Sequence, residues 1–420
     1  MLFLQHSSNH KEFHNNVYQL YHILHRSYII LNTDTSRGLT SLGWNRRMSQ
    51  HALLSLGAKA WRCLYCPKSE LRLDLTLECG QTFRWRETGK GHWTGVMGGR
   101  VWTLTQTDDT LWYHVYRCRE DPDHVNGRKR KKAEDSQELW KKFKEMAEVK
   151  VEEDDKSLCV STSEQDAKDE EVLKDYFQLS VKLEDLYKEW GDADPHFRRT
   201  GNIFSGLRML RQDPVECLFS FICSSNNHIT RIQGMVERLC GRFGTLLCEL
   251  DGTCYHDFPS IEALAESSVQ AQLRDLGFGY RARFLQESAH QIISCHNPEW
   301  LHTLRNVPYL EARASLLKLP GVGPKVADCV CLMSLDKSEA VPVDTHVWQI
   351  ARRDYNYDAG SKTKTLTNKV YKEIGDLFRQ RWGSYAGWAH SVLFCADLKK
   401  FQKLKETPTI KEEKNQAKME

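Results

Sequence analysis

The sequence predicts an α+β protein: a small antiparallel sheet followed by a long run of short helices. Two observations carry that prediction. Between about Leu71 and Tyr116, "HWTGVMGGRVWTLTQ" reads as two strands joined across Gly98-Gly99, and "LWYHVY" follows an Asp108-Asp109 turn. From about Tyr176 onward the apolar residues recur instead at three- and four-residue spacing. That spacing predicts helices over roughly 228–243, 260–275, 282–294, 309–318, 324–335, 345–354, 365–380 and 384–398. Asp213-Pro214-Val215-Glu216 opens another, with a capping Asp, Pro in the first turn and Glu three residues after the cap.

The chain is divided by composition. Residues 1–62 form an extension poor in carboxylates, with Glu12 and Asp34 alone. Three readings stay open for it: an organelle transit segment, a disordered extension, or a mis-assigned start with Met48 as the initiator. Residues 63–116 form the sheet domain, 117–172 a charged insertion expected to be disordered, 173–400 the helical domain and 401–420 a disordered charged tail. The net charge of +3 is uneven, since residues 117–175 hold 14 Lys/Arg against 18 Asp/Glu, or −4, and the rest carries +7. A moderately basic folded part suits an anionic polymer partner. Within the insertion, RKRKK (Arg128–Lys132) reads either as a nuclear localisation signal or as a solvated run. A nuclear location is therefore expected, with a mitochondrial one open through the N-terminal segment.

No stretch approaches the ~18 consecutive apolar residues of a membrane helix, so a soluble protein is expected, with no membrane partner. Fourteen cysteines are scattered without a disulfide rhythm, and Cys217, Cys223, Cys329 and Cys331 sit in apolar segments, as reduced intracellular thiols do. Cys63 and Cys66 form a lone C-x-x-C, too few ligands for a closed zinc site.

The chemistry concentrates in "LPGVGPKVADCV" (Leu319–Val330), where Lys325 follows a glycine hairpin. It reads as a phosphate ligand, a solvated helix residue or a reactive amine. A P-loop needs a strand before it and Ser or Thr after the lysine, but a helical "ARASLLKLP" precedes it and Val326 follows. Two helices joined by Leu-Pro-Gly-Val-Gly make a helix-hairpin-helix instead. Gly321 and Gly323 let the chain turn, and amides at the second helix's start can face a DNA phosphate without sequence preference. Asp344, in "VPVDTHVWQIARRD", immediately precedes a helix, where a carboxylate can be an N-cap alone, worth ~1 kcal/mol.

Taken together, the hairpin, Lys325 and "VPVDTHV" resemble the signature of the helix-hairpin-helix-GPD DNA glycosylases. In such chemistry a carboxylate stabilises positive charge developing on the deoxyribose. The nucleophilic amine must be neutral, whereas an ordinary lysine (pKa ~10.4) is charged at pH 7, so desolvation is expected to activate it. A lysine beside the aspartate implies a Schiff base and strand nicking by β-elimination, hence a bifunctional glycosylase/lyase.

The similarity extends from about Cys66 to Lys400, apart from the insertion. "SELRLDLTLECGQTFRWR", "LRQDPVECLFSFICSSNNHITRI", "LGFGYRARF", "AVPVDTHVW" and "WGSYAGWAHSVLFCADL" resemble the eukaryotic 8-oxoguanine DNA glycosylase family. That resemblance implies an N-terminal sheet domain on two helical subdomains, residues 385–398 completing a base pocket, and duplex DNA with oxidised guanine opposite cytosine as partner. It further implies a monomer with no required cofactor. It makes Lys325 the nucleophile and Asp344 its assisting carboxylate. Gly80 would offer its carbonyl to the N7 proton that only the oxidised guanine carries. Cys329 and Phe394 would sandwich the flipped base, with Pro342 and His390 also in its pocket. Asn226, Arg231 and Arg281 would read the widowed cytosine, Tyr280 would be the wedge and His346 would lie near a phosphate. The hairpin carbonyls of Leu317, Leu319 and Val322 would bind a structural cation.

Without the resemblance these residues read more plainly. Gly80 would be a strand-end turn, Phe394 and Cys329 core residues, and the cytosine readers and wedge solvated positions. One departure stands out, because the family usually has glutamine where this chain has His390. One imidazole cannot reproduce an amide's paired donor and acceptor, so altered affinity or pH dependence is expected. The endonuclease III or adenine-glycosylase branch is an alternative, but it carries four clustered cysteines after the aspartate and only Cys395 follows here, so no iron–sulfur cluster is expected. A non-catalytic hairpin DNA-binding protein would not need Lys325 and Asp344 together.

Overall fold

The computed structural model of the chain describes residues 61–116, 164–358 and 365–406. The N-terminal transit reading, the Arg128–Lys132 cluster and the end of the tail fall outside them. A five-stranded antiparallel sheet comes first, built from β1 (Arg62–Tyr65), β2 (Trp85–Gly89), β3 (His92–Met97), β4 (Arg100–Gln106) and β5 (Thr110–Tyr116) in the order β1-β5-β4-β3-β2. Both predicted turns hold. Met97 pairs with Arg100 across Gly98-Gly99, and Gln106 pairs with Leu111 at the next hairpin. A one-turn helix, α1 (Leu73–Thr76), separates β1 from β2.

Part of the segment expected to be disordered is helical. Helix α2 spans Glu164–Tyr176, so the insertion ends before residue 172. Its Leu173 and Tyr176, with Phe177 just beyond, pack on Trp85, Trp102, Leu104 and Tyr113 of the sheet. The acidic residues "EQDAKDEE" hide this stripe in a composition-based reading, yet a helix needs only one apolar face to dock. The extension also ends slightly early, because Trp61 is buried and β1 begins at Arg62. The predicted tail begins late, since a 3-10 segment covers Lys399–Glu406 and buries Phe401 in the helical core.

The helical part contains α3 (Leu183–Ala193), α4 (Pro195–Ile203), α5 (Pro214–Ile222), α6 (Ile229–Phe243), α7 (Ile261–Ala265), α8 (Val269–Asp275), α9 (Arg281–Cys295), α10 (Trp300–Thr303), α11 (Tyr309–Leu316), α12 (Pro324–Ser334), α13 (Thr345–Asp354), α14 (Asn368–Trp382) and α15 (Ala386–Asp397). The predicted cap at α5 forms as expected, with Asp213 Oδ1 accepting from the Val215 and Glu216 amides at 2.9 Å each. The single helix expected over 260–275 is instead two, broken where Glu266 turns extended at ψ 136°. A second hairpin, β6 (Leu246–Leu250) with β7 (Thr253–His256), was not expected within the helical region.

Two buried polar groups tie the sheet-side segment to the helices. The Arg208 guanidinium is fully buried and donates to the Glu70 carboxylate and to the carbonyls of Glu70, Gln178 and Val181. Glu70 in turn accepts from the Leu183 and Glu184 amides, which start α3. The Gln81 amide bridges Thr76 and Arg208 carbonyls and accepts from the Leu210 amide. A buried amide satisfied on both ends has little freedom. The backbone next to Gly80 is thereby pinned to the segment that leads into α5.

Candidate active site

A narrow cavity of about 60 Å³ is lined by Gly80 from the bend after α1, Lys325 and Cys329 of α12, Asp344 at the start of α13, and His390 and Phe394 of α15. Residues far apart in sequence, but joined by the resemblance, thus share one concavity. The helix-hairpin-helix forms from α11, the Leu317–Gly323 turn and α12. Gly321 adopts φ +77°, and a Cβ there would lie 2.6 Å from the Phe284 ring. Only glycine suits that position. Gly323, at φ −92°, caps α12 and has open space where a Cβ would sit, so no steric demand fixes it. Of the three carbonyls expected to hold a cation, that of Leu319 accepts the Val322 amide at 3.2 Å.

Lys325 stands in the first turn of α12, with Pro324 ahead of it at the first helical position. Its Nζ donates to Ser224 Oγ at 3.2 Å and lies 4.9 Å from the centre of the Phe221 ring. Both partners come from the end of α5 and the turn after it. Sequence reading missed them, although their i,i+3 spacing in "CLFSFICSS" puts them on one helical face. Cys329 follows one turn after the lysine. Burial pushes its thiol up to about 11, against the pull of the Lys325 cation.

Asp344 caps α13, its Oδ1 accepting from the Val347 amide at 2.9 Å. The N-cap reading of this carboxylate is therefore real, and it is also compatible with chemistry, since the cap fixes where the charge points. Pro342, two residues before it, is buried and lines the same cavity. Gly80 adopts φ +84°, and a Cβ on it would come within 2.9 Å of Ile229. Gly80 thus lies in a bend between α1 and β2 and not at the strand end that sequence alone suggested, and it forms part of the cavity wall.

His390 is 5% exposed, and its Nδ1 lies 3.1 Å from the Gly387 carbonyl. Donation from Nδ1–H to that carbonyl leaves Nε2 as an acceptor. Burial pushes its pKa down to about 4, against the opposing pull of the Gly387 carbonyl and the Asp344 carboxylate. The unfolded chain takes up this proton near 6.5 and the folded chain only near 4. The folded form is therefore favoured above 6.5, and that advantage is lost as pH falls toward 4. The span is worth about 3 kcal/mol. His390→Gln is expected to flatten this acid limb in denaturant titrations at pH 7 and 4.5, and to alter base-release kinetics. Unchanged kinetics together with an unchanged pH profile would show the histidine to be inert.

The residues expected to face DNA lie around the loop after α5 and the start of α9. Asn226 is exposed in a left-handed conformation, φ +48°. Arg231 is exposed in the first turn of α6, and its amide donates to His228 Nδ1 at 3.4 Å. Tyr280 is 52% exposed, and its hydroxyl donates to the Ser225 carbonyl at 3.1 Å. Arg281 departs from the solvated position that sequence alone suggested. It is 3% exposed, with Nε on the Ser225 carbonyl at 3.1 Å and Nη2 on the Asn226 carbonyl at 3.0 Å. Its guanidinium also lies 4.6 Å from the Tyr280 ring centre. His346 is half-exposed, with Nδ1 3.3 Å from Asp397 Oδ2 and its ring edge-on to Phe394 at 6.0 Å. Asp397 was not anticipated. It also holds Arg353 at 2.9 Å, which fastens the end of α15 to α13.

Comparison with known proteins covers most of the chain. Residues 63–218 match the family described as 8-oxoguanine DNA glycosylase, N-terminal domain, and residues 219–375 match the HhH-GPD superfamily base excision DNA repair protein family. The N-glycosylase/DNA lyase OGG1 of Arabidopsis thaliana is 37% identical over 347 residues, covering 81% of this chain and 81% of that protein. The N-glycosylase/DNA lyase of Saccharomyces cerevisiae is 39% identical over 273 residues, covering 60% of this chain and 72% of that protein. Among solved structures, the Clostridium acetobutylicum 8-oxoguanine glycosylase/lyase in complex with dsDNA containing cytosine opposite to 8-oxoG superposes with a TM-score of 0.58. It is 25% identical and covers 77% of this chain and 91% of that one.

Proposed function

The chain belongs to the 8-oxoguanine DNA glycosylase family of helix-hairpin-helix-GPD base excision repair proteins, and on that premise we propose how it acts. It excises 8-oxoguanine paired with cytosine from duplex DNA and then nicks the strand at the resulting abasic site. The observation that carries this reading is the single cavity wall shared by Lys325 and Asp344.

The damaged nucleotide leaves the stack, and Tyr280 fills the gap from the exposed start of α9. Asn226 and Arg231 hold the cytosine left behind, Asn226 from a loop that Arg281 clamps from within. Cys329 and Phe394 clasp the flipped base, and the Gly80 carbonyl accepts its N7 proton. Guanine's N7 is itself an acceptor and would oppose that carbonyl, so the contact discriminates by one hydrogen. His390 offers Nε2 as an acceptor to the donor groups at N1 and N2 of the base. Glutamine would add a donor toward O6, which this chain lacks.

The Lys325 amine, having given up a proton, attacks C1′. The glycosidic electron pair leaves with the base, and the fixed Asp344 carboxylate stabilises the positive charge on the sugar. Ring opening then yields the Schiff base. Loss of a C2′ proton expels the 3′ phosphate by β-elimination. The reaction uses no cofactor, and the protein acts as a monomer in the nucleus.

The test is direct. A duplex with 8-oxoguanine opposite cytosine should lose its base and then be nicked, while an undamaged G:C duplex survives, and chelation by EDTA should leave the rate unaltered. Equal treatment of the two duplexes would refute the assignment.

A further inference from the structure

The buried carboxylate of Asp328 is one helical turn past Lys325 and has no place in the chemistry described so far. It is 1% exposed, and its two oxygens bind different elements. Oδ1 accepts from the Tyr309 hydroxyl and from Arg313 Nε, each at 2.8 Å, both on α11. Oδ2 accepts from the Tyr371 hydroxyl of α14. That hydroxyl oxygen in turn accepts the Val343 amide at 3.3 Å. Because Pro342 has no amide hydrogen, the Val343 N–H is the donor immediately before Asp344 in this loop.

The direction of the chain of bonds is fixed by its chemistry. A carboxylate only accepts, so the tyrosine gives it its proton and keeps lone pairs free for the amide. The result runs from the hairpin helix that carries Lys325 through Asp328 and Tyr371 to the backbone next to Asp344. Every group in it is buried or half-buried. Bonds in such surroundings are stiff, and an unmatched donor is costly. Arg313 also lies over the Tyr371 ring, 5.8 Å from its centre, and holds the phenol from the other side.

We propose that Asp328 and Tyr371 are positioning residues, which set the placement of the Asp344 carboxylate relative to the Lys325 amine. Neither touches the substrate. This rests on the base-excision reading above, and its consequences are separable from that reading. An offset of about an ångström between reacting groups can slow a reaction by roughly 10²-fold.

The experiment measures single-turnover release of 8-oxoguanine from the 8-oxoguanine:cytosine duplex over a range of enzyme concentrations. Tyr371→Phe removes one hydroxyl and leaves the ring. The maximal rate should fall by at least about tenfold, while the half-saturating concentration stays within about twofold. Asp328→Asn keeps an acceptor for the Tyr371 hydroxyl and should lose less rate than Asp328→Leu. That pair carries the test should Tyr371→Phe not fold. An unchanged rate in Tyr371→Phe, equal losses in the two Asp328 variants, or rate, half-saturation and urea midpoint falling together would overturn the proposal. An inactive wild-type chain would instead sink the base-excision reading.

Discussion

Lys325→Gln should abolish the covalent adduct that borohydride traps between the protein and an 8-oxoguanine:cytosine duplex. Glutamine is one atom shorter than lysine but stays polar at the same helical position, where the amine now donates to Ser224 Oγ at 3.2 Å. What it lacks is a lone pair on nitrogen that can attack carbon. The loss is therefore chemical, and base release should fall on the order of 10⁴-fold or more, as when other enzymes lose a nucleophile. Affinity for a duplex with a stable abasic analogue should change only a few-fold, because the hairpin backbone is untouched. An undiminished adduct in this variant would mean that another amine does the work.

Asp344→Asn separates the two readings of its position. Asparagine caps a helix about as well as aspartate, so the bond to the Val347 amide survives and stability should move by less than about 0.5 kcal/mol. The negative charge does not survive. Stabilisation of the developing sugar cation is lost, and base release should fall about 10²–10³-fold. Asp344→Ala should be comparably slow and also less stable by ~1 kcal/mol, the usual worth of a cap. Thermal melts beside single-turnover rates resolve both effects. A rate within tenfold of the parent for the asparagine variant would reduce Asp344 to a cap.

Much of this site is legible in the sequence because its chemistry depends on residue types at the ends of elements. Pro324 and the glycines mark the hairpin, and Pro342 and Asp344 mark the start of α13, so Lys325 and Asp344 could be placed on named elements. That they share a cavity follows only from tertiary packing, of α12 on α5 and of α13 on α15, which no local pattern encodes. Buried polar groups were the harder class. Arg281, Gln81 and Asp328 look like surface residues by type, because charged and amide side chains are seldom fully buried without partners. Their partners are carbonyls and hydroxyls that only the tertiary structure brings near. The β6–β7 hairpin is a different case. Its Asp251-Gly252 pair has positive φ at both positions and is a strong two-residue turn signal, overlooked inside a region already read as helical. Helix α2 was obscured by its charge, although Leu173 and Tyr176 stand three residues apart on a single stripe.

The guanidinium of Arg281 has a mechanical consequence. By clamping the carbonyls of Ser225 and Asn226 to the start of α9, it makes Tyr280 and the loop carrying Asn226 a single stiff jaw. A stiff jaw does not bend to fit what it grips, so the elastic work of opening a base pair falls on the DNA. Steps that kink easily then open at smaller cost, and how readily a lesion is interrogated will vary with its neighbouring sequence even where no side chain reads that sequence.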